Sequence, residues 1–381
     1  TTSLDANTTG QRNTAVGYNA LTTATTNDNT AVGARSLLLN TTGSQNVVVG
    51  SQAADANTTG ASLVAVGYNA LSNNTTASDN TAVGQSALRD NTTGTFNTGL
   101  GKSALQSNTT ASNNTAVGKN ALLFNTTGEQ NTAVGANALD YNSTGIRLTA
   151  VGTDALTNNS TGSHNSAFGR DALYYNSTGA SNTALGTDAL QNNTTGDNNV
   201  AIGHDALDAN TTADRNVAVG TVALTSNTTG ADNTALGQAA LHDNTTASNN
   251  TAVGKSSLRF NTTGHSNTAV GKDALELNTT GTFLTAFGYQ ALNENSTANS
   301  NDAFGYNALR RNTTGTRNAA FGYESLDANT TGGYNTAVGW GAGTSNTTSN
   351  HMVAVGTNAL RDNTTGTQNT AVGSQAMQAN T

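Results

Sequence analysis

Apolar and polar positions along this chain recur with a spacing of 17 residues, and the recurrence runs from one end to the other. A glycine stands at positions 17, 33 and 50 and then every 17 residues to 373, giving 22 copies with a single 16-residue step between Gly17 and Gly33. The unit reads Asn-Thr-Ala-Val-Gly-x-x-Ala-Leu-x-x-Asn-Thr-Thr-Gly-x-x, as in Asn131, Thr132, Ala133, Val134, Gly135, Ala138, Leu139, Asn142, Ser143, Thr144 and Gly145. So short a unit has no room for the helix pair of a helical repeat. Gly, Asn and Thr dominate it, and all three are poor helix formers. Short β-type segments bounded by Gly and Asn turn signals indicate strands instead. The pattern predicts an all-β parallel β-solenoid, or β-roll, with one coil per 17-residue repeat and about 22 coils over residues 1–381. At the spacing of neighbouring strands such a stack makes a rod about 105 Å long.

Differences between copies describe the surroundings of each column. The lead asparagine, four before the glycine, becomes Leu63, Leu148, Leu284 and Met352 in single copies. A column that takes Asn or Leu is expected inside, with Asn114, Asn131, Asn165 and Asn182 stacked as an amide ladder that satisfies buried donors and acceptors. The column two before the glycine is Ala except at Val48 and Gly99, which marks a tight site. The residue just before the glycine is always apolar but varies in size, as in Val134, Phe168, Leu185, Ile202 and Phe287. Adjacent strand residues point to opposite faces. Either both faces of the strand are apolar and the outer one is covered by another copy of the chain, or a bulge turns both residues inward.

The leucine four after the glycine, as in Leu156, Leu173 and Leu190, is the expected core residue. Asn-Thr-Thr-Gly forms the turn, since Asn and Gly tolerate positive φ. Positive φ is not compulsory at its glycine, which becomes Ala77, Ala111, Ala213, Ala247 or Ala298. Gly99 and the Gly332, Gly333, Trp340, Gly341 and Gly343 coil are candidate bends. Residue 1 falls just after a repeat-glycine position and residue 381 inside a turn, without capping coils, so the array is expected to be an uncapped fragment of a longer protein.

Composition narrows the function. The 15 Lys+Arg against 23 Asp+Glu give a net charge of −8, which argues against nucleic-acid partners and anionic membranes. No apolar run reaches the length of a membrane helix, so no membrane insertion is expected in this segment. Cys is absent, which excludes disulfides and zinc–cysteine sites. The five histidines, His164, His204, His242, His265 and His351, do not recur in register in neighbouring coils. No metal, cofactor or catalytic role is expected of them. Asp154, Asp171, Asp188 and Asp205 share one column and read as a solvated stripe. The triplet Asn-x-Ser/Thr makes Asn40, Asn57, Asn91, Asn125, Asn142, Asn176, Asn227, Asn261, Asn312 and Asn363 formal N-glycan acceptors.

The unit Asn-Thr-Ala-x-Gly-x-x-Ala-Leu, with its Asn-Thr-Thr-Gly turn, resembles the head repeats of trimeric autotransporter adhesins and the repeat arrays of tail-fibre-like surface proteins. The resemblance covers the whole chain, although the adhesin heads have a shorter coil of about 14 residues. It implies a homotrimer of β-rolls in an extracellular, cell-surface or virion fibre, continued end to end and possessing no catalytic residues. Surface glycans are the possible external partners. The alternative class is a ligand-binding solenoid for ice, glycan or mineral surfaces.

Overall fold

The computed structural model describes residues 3–380. Thr1 and Thr381, at the ends on which the fragment reading rests, lie outside the described residues. The structure is an all-β parallel solenoid with a 17-residue repeat and no helix among the described residues. Its contacts divide it into two compact units, Thr1–Thr195 and Gly196–Thr381. The first holds strands β1 (Thr14–Val16) to β11 (Thr183–Leu185), and the second holds β12 (Val200–Ile202) to β22 (Thr370–Val372). Within each unit every strand pairs in parallel with the next at equivalent positions. β8 (Thr132–Val134) and β9 (Thr149–Val151) pair Ala133 with Ala150, for example.

Each strand has only three residues, and the middle one points inward. Ala133 and Ala150 are fully buried whereas Val134 on the same strand is exposed. This alternation is that of an ordinary strand and excludes the bulge that would turn both residues inward. Behind the alanines lie the core leucines: Leu139, Leu156, Leu173 and their equivalents have no accessible surface.

Those leucines sit in an unexpected conformation. Positive φ does not occur at the Asn-Thr-Thr-Gly turn; besides the repeat glycine it occurs at three columns: the residue before the lead asparagine (Gln130, φ 60°), the second after the glycine (Asn137, φ 56°), and the core leucine itself (Leu139, φ 56°). A left-handed leucine costs about 1–2 kcal/mol. Complete burial of its side chain contributes about 1.5–3 kcal/mol and offsets that cost. The arrangement also directs backbone donors along the stack: Asn137 N–H reaches the Lys119 carbonyl of the preceding coil (2.9 Å), and Leu139 N–H reaches Ala155 of the following one (3.0 Å).

The repeat glycine is compulsory for two reasons. Gly135 has φ 143°, in a region restricted to glycine. A Cβ there would also stand 2.3 Å from the Gly152 carbonyl oxygen. The candidate bends do not interrupt the stack. The strand containing Gly99 pairs in register on both sides, and Gly341 and Gly343 take φ 64° and 60° at the two columns where other coils hold side chains in the same conformation.

Candidate assembly surface

The lead asparagines are buried as expected, but their bonding differs from a simple amide ladder. Asn131 Nδ2 donates to the Gly145 carbonyl (2.9 Å), and its Oδ1 accepts the backbone N–H of Leu148 in the next coil (2.9 Å). The amide-to-amide ladder lies in the turn column: Asn142 Nδ2 donates to Asn125 Oδ1 (2.9 Å), and Asn159 Nδ2 to Asn142 Oδ1 (2.9 Å). Each of these amides spends its other proton on its own turn, as Asn142 does on the Gly145 carbonyl (3.1 Å). The sequence leads one to expect the amide ladder at Asn114, Asn131, Asn165 and Asn182, whereas the amide-to-amide bonds run through the turn column.

This ladder decides what the glycan triplets can do in the folded chain. Asn40, Asn57, Asn91, Asn125, Asn142, Asn176, Asn227, Asn261, Asn312 and Asn363 all have 0% exposure. Their nitrogens face the coil interior, so the folded coil does not present them to a transferase. The first turn hydroxyls are occupied as well, for example Thr126 Oγ1 on the Ser143 carbonyl (3.0 Å).

The outer face is where the molecule is unsatisfied. In the first unit Val16, Val49, Leu100, Val134, Phe168 and Leu185 are exposed along one column, and in the second Leu236, Phe287, Phe321, Val338 and Val372 continue the same pattern. A monomer rarely leaves so continuous an apolar row in water. In the second unit two aromatic ladders run along the coils of β17 (Thr285–Phe287) to β20 (Thr336–Val338), one on the strands and one just beyond them. Phe287, Phe304 and Phe321 stack at 5.1 and 4.9 Å with planes 4° and 7° apart. On the other side of the glycine, Tyr289, Tyr306, Tyr323 and Trp340 stack at 5.2, 5.0 and 6.1 Å. Lys272 Nζ covers the far face of Tyr289 at 5.3 Å. Ring faces are thus consumed by one another, and ring edges and hydroxyls meet the solvent. Sequence reasoning named Phe287 but missed the ladders, whose signal was the recurrence of Phe and Tyr two residues apart in consecutive coils.

In the first unit Asp154, Asp171, Tyr174, Tyr175 and Gln191 line a surface cleft of about 290 Å³. Its carboxylates are engaged: Asp154 accepts from Asn137 Nδ2 (3.0 Å), and Asp171 pairs with Arg170 Nε (3.5 Å). Partial burial raises the Asp171 carboxyl, Arg170 opposes this, and Asp154 and Asp188 add to it. Asp140 is the outlier. It is 8% exposed, its Oδ1 has no hydrogen-bond partner, and burial, reinforced by Asp154, raises its pKa to about 6. The histidines stay dispersed: His204 and His242 pair with the adjacent Asp205 and Asp243, His265 meets the edge of Phe283, and His351 stacks on Tyr334. No family model matches the chain, and neither a curated protein nor a solved structure does.

Proposed function

We propose that this chain is a non-catalytic structural and adhesive segment of an extracellular, cell-surface or virion fibre, in which copies of the chain cover one another's outer apolar column. The supporting observation is that column itself: valine, leucine, isoleucine and phenylalanine side chains exposed or half-exposed on every strand within each unit. Each coil contacts mainly its neighbours, so the architecture supplies length and surface, and a partner of identical repeat is the simplest match to a periodic apolar row. Three copies is the number that the adhesin-head resemblance implies. The interior is filled by alanine, leucine and asparagine stacks, so recognition of other molecules falls to the variable columns.

A series of one-repeat deletions tests this reading. Removing residues 136–152, or any other single repeat, should shorten the stack by about one strand spacing and leave assembly and surface attachment intact. A single deletion that abolishes attachment while its neighbours have no effect would reveal a local site instead. A second reading, a glycan-binding face, is favoured by the Tyr289, Tyr306, Tyr323 and Trp340 ladder. It predicts that the sensitive deletions are those within residues 288–341.

A further inference from the structure

We infer that Asn113 and Asn249 are the asparagines that the folded chain offers for N-linked glycosylation. The turn triplets dominate the sequence, yet turn asparagines such as Asn57, Asn125 and Asn142 are sealed inside the coil with both amide protons engaged, Asn142 by Asn125 and Gly145. Replacing one of those protons by a sugar breaks a ladder bond and places a bulky polar group in a closed interior.

Two further triplets lie in another column. Residues 109–119 and 245–255 share the sequence Thr-Thr-Ala-Ser-Asn-Asn-Thr-Ala-Val-Gly-Lys, which contains Asn113-Asn114-Thr115 and Asn249-Asn250-Thr251. Asn113 and Asn249 occupy the exposed left-handed corner before the strand, with φ 63° and 62°. Their side-chain amides make no hydrogen bond among the described residues. The corner is held from the side, because Ser112 Oγ accepts the backbone N–H of Thr95 (3.0 Å) and Ser248 Oγ that of Ala231 (3.0 Å). Thr115 and Thr251 open their strands with outward, half-exposed side chains. The acceptor amide and the hydroxyl that a transferase reads are therefore both presented on a fixed backbone in the folded chain before copies cover the outer column.

Other triplets outside the turn column lack this combination. Those of Asn73 and Asn158 depend on Thr75 and Ser160, whose hydroxyls donate to the Thr92 (3.2 Å) and Ser177 (2.8 Å) carbonyls. Asn192 is half-buried.

The ligand class is a sugar activated as a diphosphate ester. The asparagine nitrogen attacks the anomeric carbon and forms the N–C bond as the C–O bond to the diphosphate breaks. The diphosphate leaves with the electron pair, and the amide proton passes to a base of the transferase.

The test uses folded chain, a soluble N-glycosyltransferase that accepts Asn-x-Ser/Thr, and UDP-glucose, with peptide mass spectrometry as the readout. Hexose is expected on Asn113 and Asn249 and not on Asn142 or the other turn asparagines. Urea-unfolded chain, the control for enzyme activity, should be modified in the turn column and then fail to refold. Thr115→Val and Thr251→Val should lose the respective sugars without lowering the melting temperature, since Val47, Val64 and Val200 occupy that column naturally. Folded chain that remains unmodified at both asparagines, or a cooperatively melting chain with sugar on turn asparagines, would overturn the inference.

Discussion

Met352 fills the space that Gly343 leaves empty. In other coils that place holds a core leucine, and a Cβ on Gly343 would stand 2.6 Å from Met352 Cε and 3.2 Å from Leu326 Cδ2. Met352 replaces the lead asparagine of the following coil and is fully buried. Two departures from the repeat therefore compensate each other across neighbouring coils. Gly343→Leu alone should overpack the core, and Met352→Asn alone should leave a cavity, each costing about 1–3 kcal/mol. The double variant restores the consensus pair, and a favourable coupling of about 0.5–3 kcal/mol is expected in a double-mutant cycle from chemical unfolding. Strict additivity would show that the two residues do not share a cavity.

The two glycines of the repeat should respond very differently to alanine. Gly135→Ala combines a glycine-only φ with a backbone oxygen 2.3 Å from the new Cβ, and should destabilise by at least about 3 kcal/mol. Gly145→Ala should cost only about 1 kcal/mol: a Cβ there would meet the Gly162 carbonyl oxygen at 2.5 Å, but the φ is not restricted to glycine, and coils with Ala77, Ala111 and Ala213 in the equivalent place accommodate it, Asn74 still bonding the Ala77 carbonyl (2.9 Å). Similar losses in melting temperature for the two variants would contradict this assignment.

Asn131 separates an amide requirement from burial. Asn131→Leu should be tolerated, since Leu148 occupies the next copy, with the cost limited to the lost acceptor for Leu148 N–H and the lost donor to Gly145. Asn131→Asp keeps that acceptor but turns a carboxylate toward the Gly145 carbonyl, and should destabilise by a few kcal/mol at neutral pH. The penalty should shrink on acidification, as the carboxyl takes up the proton that restores a donor. Equal melting temperatures for the two variants at pH 7 would place the column outside the core.

Asp140 gives the first unit a pH dependence. Residues in its column elsewhere donate to the preceding coil: Thr157 Oγ1 reaches the Asn137 carbonyl (3.0 Å) and Thr344 Oγ1 that of Glu324 (3.0 Å). An ionised Asp140 has no proton to give. Burial, reinforced by Asp154, raises its pKa to about 6, above the unfolded value. The folded chain thus binds the proton more tightly, and this contribution to stability is fully present below the unfolded pKa and lost as pH rises through about 6. Asp140→Asn should remove the dependence and raise stability at pH 8 relative to wild type by about 1–3 kcal/mol. Parallel melting profiles of the two proteins between pH 4 and pH 8 would contradict it.

Much of this architecture was legible because one period controls every level. The spacing of Gly135, Gly152 and their equivalents gave the coil, and the Asn-to-Leu exchange at Leu148 gave burial. Positive φ at Leu139 was hidden because leucine carries no turn signal; only neighbours that bury it completely hold it there. The ladder was displaced to Asn142 because sequence alone does not distinguish an asparagine that bonds amides from one that bonds backbone. The aromatic ladders were missed because Tyr289 and Tyr306 lie in a variable column that elsewhere holds polar residues such as Lys272 and Thr357 and small ones such as Ala136.

The central claim is that copies of the chain cover the outer apolar column, and the mass of the particle in solution tests it most directly. Sedimentation equilibrium should return three times the 38.3 kDa chain mass. Val134→Asp with Val151→Asp should dissociate or precipitate that particle, because unpaired charge would enter the seam. A monodisperse 38.3 kDa monomer at all concentrations, with a cooperative melt that the two substitutions leave unchanged, would contradict the account.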